Sequence, residues 1–422
     1  MEEWKEYRLG DVAIIKGGKR LPKGIELISN PNTHPYIRIS DMYVNKTMEL
    51  TSSYRYVDNN TFNKIKNYIV NSGDVILAIV GNTIGLVAVI GKSLDNANLT
   101  ENCVKIIANK EVSQEYIYYY LTSIYGQNKI KKGIVGAAQP KLPIKNIISI
   151  TISAPSKELQ ERTTNILSSL DDKIELNRRI NENLEQQAQA LFKSWFVDFE
   201  PFKDGKFVDS ELGKIPEGWK VVHADEVFDI NIGKTPPRKE SIWFSNSGSS
   251  NVQWVSISDM GNCGAFIGNS KEHLTQDAIN KFNIIIVPKD TILLSFKLTI
   301  GRVAIAQKEL TTNEAIARFY LPYSQYREFT YLTLKNYDYS KLGSTSSIAT
   351  AVNSKIIKGM KILLPINEHI KNFSTIVKPI FDLMESYSNE IDSLSQLRDT
   401  LLPRLMSGEL KITDLVDKSL NE

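Results

Sequence analysis

The chain is poor in the residue types that build most chemical sites. It has 2 cysteines in 422 residues, Cys103 and Cys263, which excludes a disulfide framework. Its 4 histidines are scattered, with no C-x-x-C or H-x-x-x-H spacing, so no structural zinc site is expected. No apolar run reaches the roughly 18 residues of a membrane span. The opening MEEWKEYRLG has neither a basic n-region nor an apolar core, so no secretory leader is expected and a cytoplasmic location is. Neither phosphate cradle is present, G-x-x-x-x-G-K-[ST] or G-x-G-x-x-G, and no G-x-S-x-G elbow or H-E-x-x-H helix occurs. The most tempting acids, Asp41 and Asp259, lie in Ser-Asp steps just past apolar strands, where such steps cap helices or make turns.

What the chain does have, it has twice. IRISDM (37–42) returns as VSISDM (255–260), a shift of 218. WKEYRLGDVAIIKGGK from Trp4 parallels WKVVHADEVFDINIGK from Trp219. SGDVILAIVGNTIGLVAVIG (72–91) parallels PKDTILLSFKLTIGRVAIA (288–306), with Gly85 falling on Gly301. LTENCVKII (99–107) then matches TTNEAIARF (311–319), and the aromatic stretch EYIYYYL (115–121) matches REFTYLTL (327–334). IISITISAPSKELQER (147–162) closes the series against IIKGMKILLPINEHIK (356–371). Shared blocks in one order mean a duplicated unit of domain size. Within each unit, short runs rich in Val, Ile, Thr and aromatics predict strands with one or two helices.

Each unit ends differently. From Ser156 to Phe199 there is no Gly or Pro, which predicts a long helix starting after Pro155 and stopping at Pro201 and Gly205. In the second copy Pro365 and Asn367 mark the start, and Pro379 is expected to kink or interrupt the helix. An apolar heptad runs through Thr163, Leu167, Leu170, Ile174, Asn177, Asn181, Leu184, Ala188, Leu191 and Trp195. Its counterpart, 210 residues later, is Phe373, Val377, Ile380, Met384, Tyr387, Ile391, Leu394, Arg398, Leu401 and Leu405. Two such stripes in one chain predict an intramolecular antiparallel coiled coil, with polar breaks at Asn177, Asn181 and Arg398 setting its register. About 35–40 helical residues would make a rod of roughly 55 Å. The expected organisation is α+β: domains over 1–155 and 201–365, helical spacers over 156–200 and 366–410, a tail over 411–422, and a pseudo-two-fold relation between the halves.

Charge follows the same period. The net charge is +6 over 1–155, −3 over 156–200, +4 over 201–365 and −4 over 366–422. Basic residues cluster at Lys16, Lys19, Arg20, Lys23 and Arg38, and correspondingly at Lys234, Arg238 and Lys239. A second group is Lys131, Lys132, Lys141 and Lys145, while Lys297 and Arg302 flank the second glycine block. A charge run is ordinarily a solvated face, but duplicated placement favours a polyanion. On duplex DNA, Lys and Arg would hold phosphates, while Arg20, Arg38, Asn82, Gln139, Arg238, Gln253 and Lys297 are candidate readers of base edges. A coiled-coil adaptor whose basic domains bind acidic proteins is the alternative reading. A self-contained nuclease would need an acidic metal cluster that the sequence does not assemble.

LFKSWFVDFEPF (191–202), GKIPEGWKVV (213–222), SISDM and LLPRLMSGEL (401–410) together resemble the specificity subunit of type I restriction–modification enzymes. The resemblance implies two target-recognition domains reading a split DNA site, with the helices as spacer and as dock for two modification subunits. Those partners would carry S-adenosylmethionine, and joining restriction subunits would carry ATP and Mg. It also implies no catalysis by this chain, and the amino-methyltransferase motifs N-P-P-[YF] and D-P-P-[YF] are absent, TPPR (235–238) not being one. KGIELISNPNTHP against KESIWFSNSGSSN, and Gly18-Lys19-Arg20-Leu21 against the Gly-Lys-Thr-Pro turn of the second copy, predict different half-sites and an asymmetric target.

Overall fold

The computed structural model describes residues 4–42, 46–245, 251–342 and 352–410. The tail expected over 411–422 and residues 246–250 of the second divergent loop lie outside the described residues. The chain forms two compact units, Met1–Lys173 with Ser393–Glu422, and Ile174–Asp392. Both unit boundaries fall inside the long helices, so each globule keeps part of both helices in its own fold.

The first unit is built on a five-stranded sheet in the order Ala13–Gly17, Cys103–Ala108, Val75–Ala78, Val87–Ile90, Thr47–Met48. All pairs are antiparallel except the last. The second unit repeats that order with Asp229–Ile232, Ile316–Tyr320, Ile292–Ser295, Val303–Ala306 and Phe266–Ile267. Every residue of Val75–Ala78 and of Ile292–Ser295 is buried, which is why VILA of the first and ILL of the second read as apolar runs; Ser295 is buried with its hydroxyl hydrogen-bonded. A smaller sheet stands beside each: Arg55–Tyr56, Pro35–Ile37, Asn98–Leu99 in the first, and Phe244–Ser245, Glu272–Leu274, Val252–Val255, Thr311–Thr312 in the second. The aromatic stretches are helices Gln114–Thr122 and Arg327–Lys335, buried on nearly every side. Buried aromatics and aliphatics at about 1.5–3 kcal/mol per side chain dominate the stability of both units.

The two long helices are Lys157–Phe196, the central one, and Asn367–Met406, the distal one. In the second unit they run antiparallel: Asn177 Nδ2 donates to Glu390 Oε2 at 2.9 Å. Asn181 Nδ2 reaches Met384 O and Ser388 Oγ, both at 3.2 Å, and the Phe192 and Phe373 rings lie 6.2 Å apart. In the first unit Arg398 Nη1 of the distal helix donates to Asp171 Oδ1 of the central one at 2.8 Å. Each polar break therefore ties one helix to the other.

Of the heptad positions, Thr163, Leu167, Ile174, Asn177, Ala188, Phe373, Val377, Met384 and Leu405 are buried. Leu170, Asn181, Leu184, Leu191, Ile380, Ile391, Leu394 and Leu401 are half-buried. Next to three of these, Asp171, Phe192 and Phe381 take the buried place. A strict 3.5-residue repeat drifts about 20° per heptad on a straight helix, and each helix must here face both its partner and a globule. Pro379 departs from expectation: the distal helix runs through it unbroken. Pro379 and Thr375, whose carbonyl loses its helical donor, are both exposed, so water can satisfy the orphan oxygen.

The ends of the helices are fixed by the motif-rich segments. Phe192, Trp195, Phe196, Phe199 and Phe202 form an aromatic cluster with Trp219, Phe329, Phe373 and His369. Phe199 turns the chain there with a φ of 56°. In the first unit, Leu405 and Met406 are buried with Leu410 against the globule, and Trp4 packs on Gly408.

Candidate nucleic-acid interface

The turns that carry the basic residues are assembled by backbone hydrogen bonds that recur in both units. Gly18 N donates to Cys103 O at 3.0 Å and Lys19 N to Leu99 O at 2.8 Å. Gly233 N donates to Ile316 O at 3.1 Å and Lys234 N to Thr312 O at 2.9 Å. A Cβ on Gly18 or Gly233 would overlap the carbonyl oxygens of 99–100 or 312–313, so the close approach requires glycine.

The side chains around these turns differ while the contacts persist. Tyr36 OH donates to Lys19 O at 2.8 Å, and Trp254 Nε1 donates to Lys234 O at 3.2 Å. The next residue reaches an acid on the neighbouring turn: Arg20 Nε to Glu101 Oε1 at 2.6 Å, and the Thr235 hydroxyl to Glu314. The Glu101 hydrogen bond raises the Arg20 guanidinium above its ordinary value. Lys19 and Lys234 themselves are exposed.

Further loops join the same end of the first sheet. Ile79 N donates to Asn102 O at 2.9 Å and Gly81 N to Pro140 O at 3.0 Å. Those bonds set Asn82 and the 135–141 hairpin, with Gln139 and Lys141, beside the Arg20–Glu101 turn, and all three side chains are exposed. Lys131 and Lys132, also exposed, close helix Ile124–Lys132 just before that hairpin. Lys16 is exposed on strand Ala13–Gly17. In the second unit Phe296 N donates to Ala315 O at 2.9 Å, which brings exposed Lys297 to the Thr235–Glu314 turn. The counterpart of the 135–141 hairpin falls at 343–351, outside the described residues.

Several candidate readers are occupied within the fold. Asp41, buried, accepts from Arg38 N at 2.8 Å and from Arg38 Nε at 3.0 Å. Asp259 accepts from Ser256 N at 2.8 Å and Ser256 Oγ at 2.6 Å, the cap expected of a Ser-Asp step. Gln253 Oε1 accepts from Ser270 N at 2.7 Å, and Arg302 Nη1 donates to Ile257 O at 2.6 Å. Arg38, Gln253 and Arg302 thus shape turns. Arg238 is exposed, but its Nη1 donates to both carboxylate oxygens of Glu272, at 2.7 and 2.9 Å, and its guanidinium lies 4.3 Å over Trp254. Lys239 is exposed beyond it.

Two residues that the sequence reading passed over hold equivalent places in the repeat. Lys105 and Arg318 sit mid-strand in the two sheets, both buried. Lys105 Nζ donates to Ile69 O at 2.7 Å; Arg318 Nη1 reaches Ile285 O at 3.4 Å and its Nε reaches Thr312 Oγ1 at 2.9 Å. A charge inside an otherwise apolar strand, at the same place in both copies, was the available signal. Burial lowers the Arg318 guanidinium and pushes the Cys103 thiol up to about 12. Among the described residues, no three His, Cys, Asp or Glu are grouped to hold a metal, and no helix is long and apolar enough to cross a membrane.

A duplicated α+β module whose glycine–lysine turns face outward, joined to paired helices, defines a recognition protein. The chain belongs to the family of type I restriction modification DNA specificity domains, matched over residues 1–186 and again over 216–401. It is 27% identical to the type I restriction enzyme HindI specificity subunit of Haemophilus influenzae, over 97% of this chain and 100% of that one. It is 26% identical to the MjaIX specificity subunit of Methanocaldococcus jannaschii, over 98% and 95%. The fold is that of the type I restriction–modification S subunit from M. genitalium, with a TM-score of 0.51 and 16% identity over 96% of each chain. Its part in such a system is recognition of the DNA target, as a non-catalytic component.

Proposed function

We propose that each globule reads one half of a split, asymmetric DNA target. The carrying observation is the repeated wiring of the Lys19 and Lys234 turns, identical in backbone contacts and different in the outward residues. Exposed Lys19, Lys131, Lys132, Lys141, Lys234 and Lys297 would engage phosphates, and exposed Arg20, Asn82, Gln139 and Arg238 would read base edges. Arg20 and Arg238 would exchange their carboxylate partners for DNA on binding.

The long helices would set the gap between half-sites and dock two modification subunits. In support, they expose Leu176, Ile376, Leu383 and Leu397 to solvent, apolar side chains suited to a protein partner. The partners would supply S-adenosylmethionine, and restriction subunits ATP and Mg, all in the cytoplasm. Methylome sequencing of the host with and without this gene tests the reading, and a single split motif that vanishes on deletion is the expected outcome. Replacing residues 1–155 with the same region of another specificity subunit should alter one half of that motif. A change in both halves, or none, overturns the modular assignment.

A further inference from the structure

The hairpin joining Ile292–Ser295 to Val303–Ala306 ends in Lys297-Leu298-Thr299-Ile300-Gly301. Leu298 is 101% exposed and has a φ of 60°. A leucine in that region of backbone space is strained, and an aliphatic side chain left in water returns nothing to stability. Thr299 N donates to Lys297 O at 2.6 Å, closing a three-residue turn around Leu298.

The strain is held in place from below. Ser295 is fully buried; its Oγ donates to Thr299 O at 2.7 Å and accepts from Arg302 N at 3.1 Å. Gly301 N donates to Ser295 O at 3.0 Å. The turn itself does not demand a leucine. In the first unit the matching hairpin puts Gly81 at positive φ, 73°, followed by exposed Asn82. The Leu298 tip also stands at the interface end of its sheet, through the Phe296–Ala315 bond next to Glu314 and Thr235, with Lys297 exposed beside it.

We propose that Leu298 is a wedge that enters the base stack of duplex DNA at the half-site read by the second unit. This rests on the DNA-reading function proposed above. One apolar side chain flanked by a cation matches a base step between phosphates: the aliphatic group parts stacked bases while Lys297 holds the backbone. The clamped turn spares the entropy of ordering the tip on binding. The first unit, with Gly81 and Asn82 at its tip, reads without unstacking.

The test uses the full chain assembled with its modification subunits, and duplexes carrying the motif found by methylome sequencing. 2-Aminopurine replaces single bases across both halves, and its fluorescence rises where stacking is lost. Beyond the signal at bases that the modification subunits flip for methylation, wild type should brighten the probe at one further step, in one half-site only. Leu298→Asn keeps a residue tolerant of positive φ without the apolar group. It should abolish that signal and weaken specific binding about tenfold or more, with thermal stability equal to or above that of wild type. Leu298→Met should retain both signal and affinity. Equal affinity and fluorescence for Leu298→Asn and wild type, or no brightening with wild type bound beyond that of the flipped target bases, overturns the wedge alone. Absence of any sequence-specific binding by wild type removes the wedge and the reading together.

Discussion

The two units satisfy the same hydrogen-bonding geometry with different side chains. A tyrosine hydroxyl in one and an indole N–H in the other donate to the carbonyl of the turn lysine. An arginine in one and a threonine in the other bind the glutamate of the adjoining turn. Lysine in one and arginine in the other fill the buried mid-strand position. The duplicated object is therefore a set of main-chain acceptors and carboxylates, and the donors can be exchanged around it.

The helix attachments allow the sharpest break of this comparison. Buried Tyr119 donates to Asp171 Oδ2 at 2.7 Å, and buried Tyr331 donates to Glu185 Oε1 at 2.7 Å. Asp171 also holds Arg398, so Asp171→Ala strands two donors and should cost about 3 kcal/mol in equilibrium denaturation. Glu185→Ala strands Tyr331 and releases the more exposed Lys335, and should cost about 2 kcal/mol. Equal and negligible losses would show that the tyrosine ties do not anchor the helices.

A smaller and more discriminating effect is expected at the buried cations. Lys105 lies 3.7 Å from buried Asp74, whereas uncharged Thr291 stands at the matching register in the second unit and the neighbouring Asp290 is held by Arg327 at 2.9 Å. Lys105→Met should therefore destabilise by about 2 kcal/mol by leaving Asp74 uncompensated, while Arg318→Met should stay within about 1 kcal/mol. The reverse order in urea titrations would refute this assignment of partners.

The pH response should distinguish the units as well. His369 accepts from Trp219 Nε1 through Nδ1 at 3.0 Å and stacks on Phe202, and burial lowers its pKa below the ordinary 6.5. A group lowered in the folded state contributes stability above its unfolded pKa and loses it as pH falls through the folded one. The second unit should thus weaken as pH falls below the ordinary histidine value of 6.5, and His369→Gln should remove that slope. Least in magnitude, Lys19→Ala and Lys234→Ala should each reduce the salt slope of DNA binding by about 1; one slope unaffected would remove that lysine from the phosphate contacts.

The sequence disclosed the repeat, the strands and the long helices because each is written in apolar periodicity or in glycine position. Val75–Ala78 and residues 292–294 are apolar because both faces are covered. Which polar residues face outward was much less legible. Arg38, like the exposed Lys19 and Lys297, is a cation after a strand, and Asp41 three residues on turns it inward; Gln253 and Arg302 are turned by tertiary neighbours, Ser270 and the Ile257 carbonyl. The same holds for Phe192 and Phe381, buried one position away from their heptad places because each helix serves two surfaces.

A frame that rests on carbonyl oxygens is indifferent to who supplies the proton. The Lys19 and Lys234 oxygens accept a phenol or an indole alike, so the residues around the rim are free to vary without disturbing the interior. Such a molecule can acquire a new target by rewriting its periphery, and its architecture need not be relearned each time.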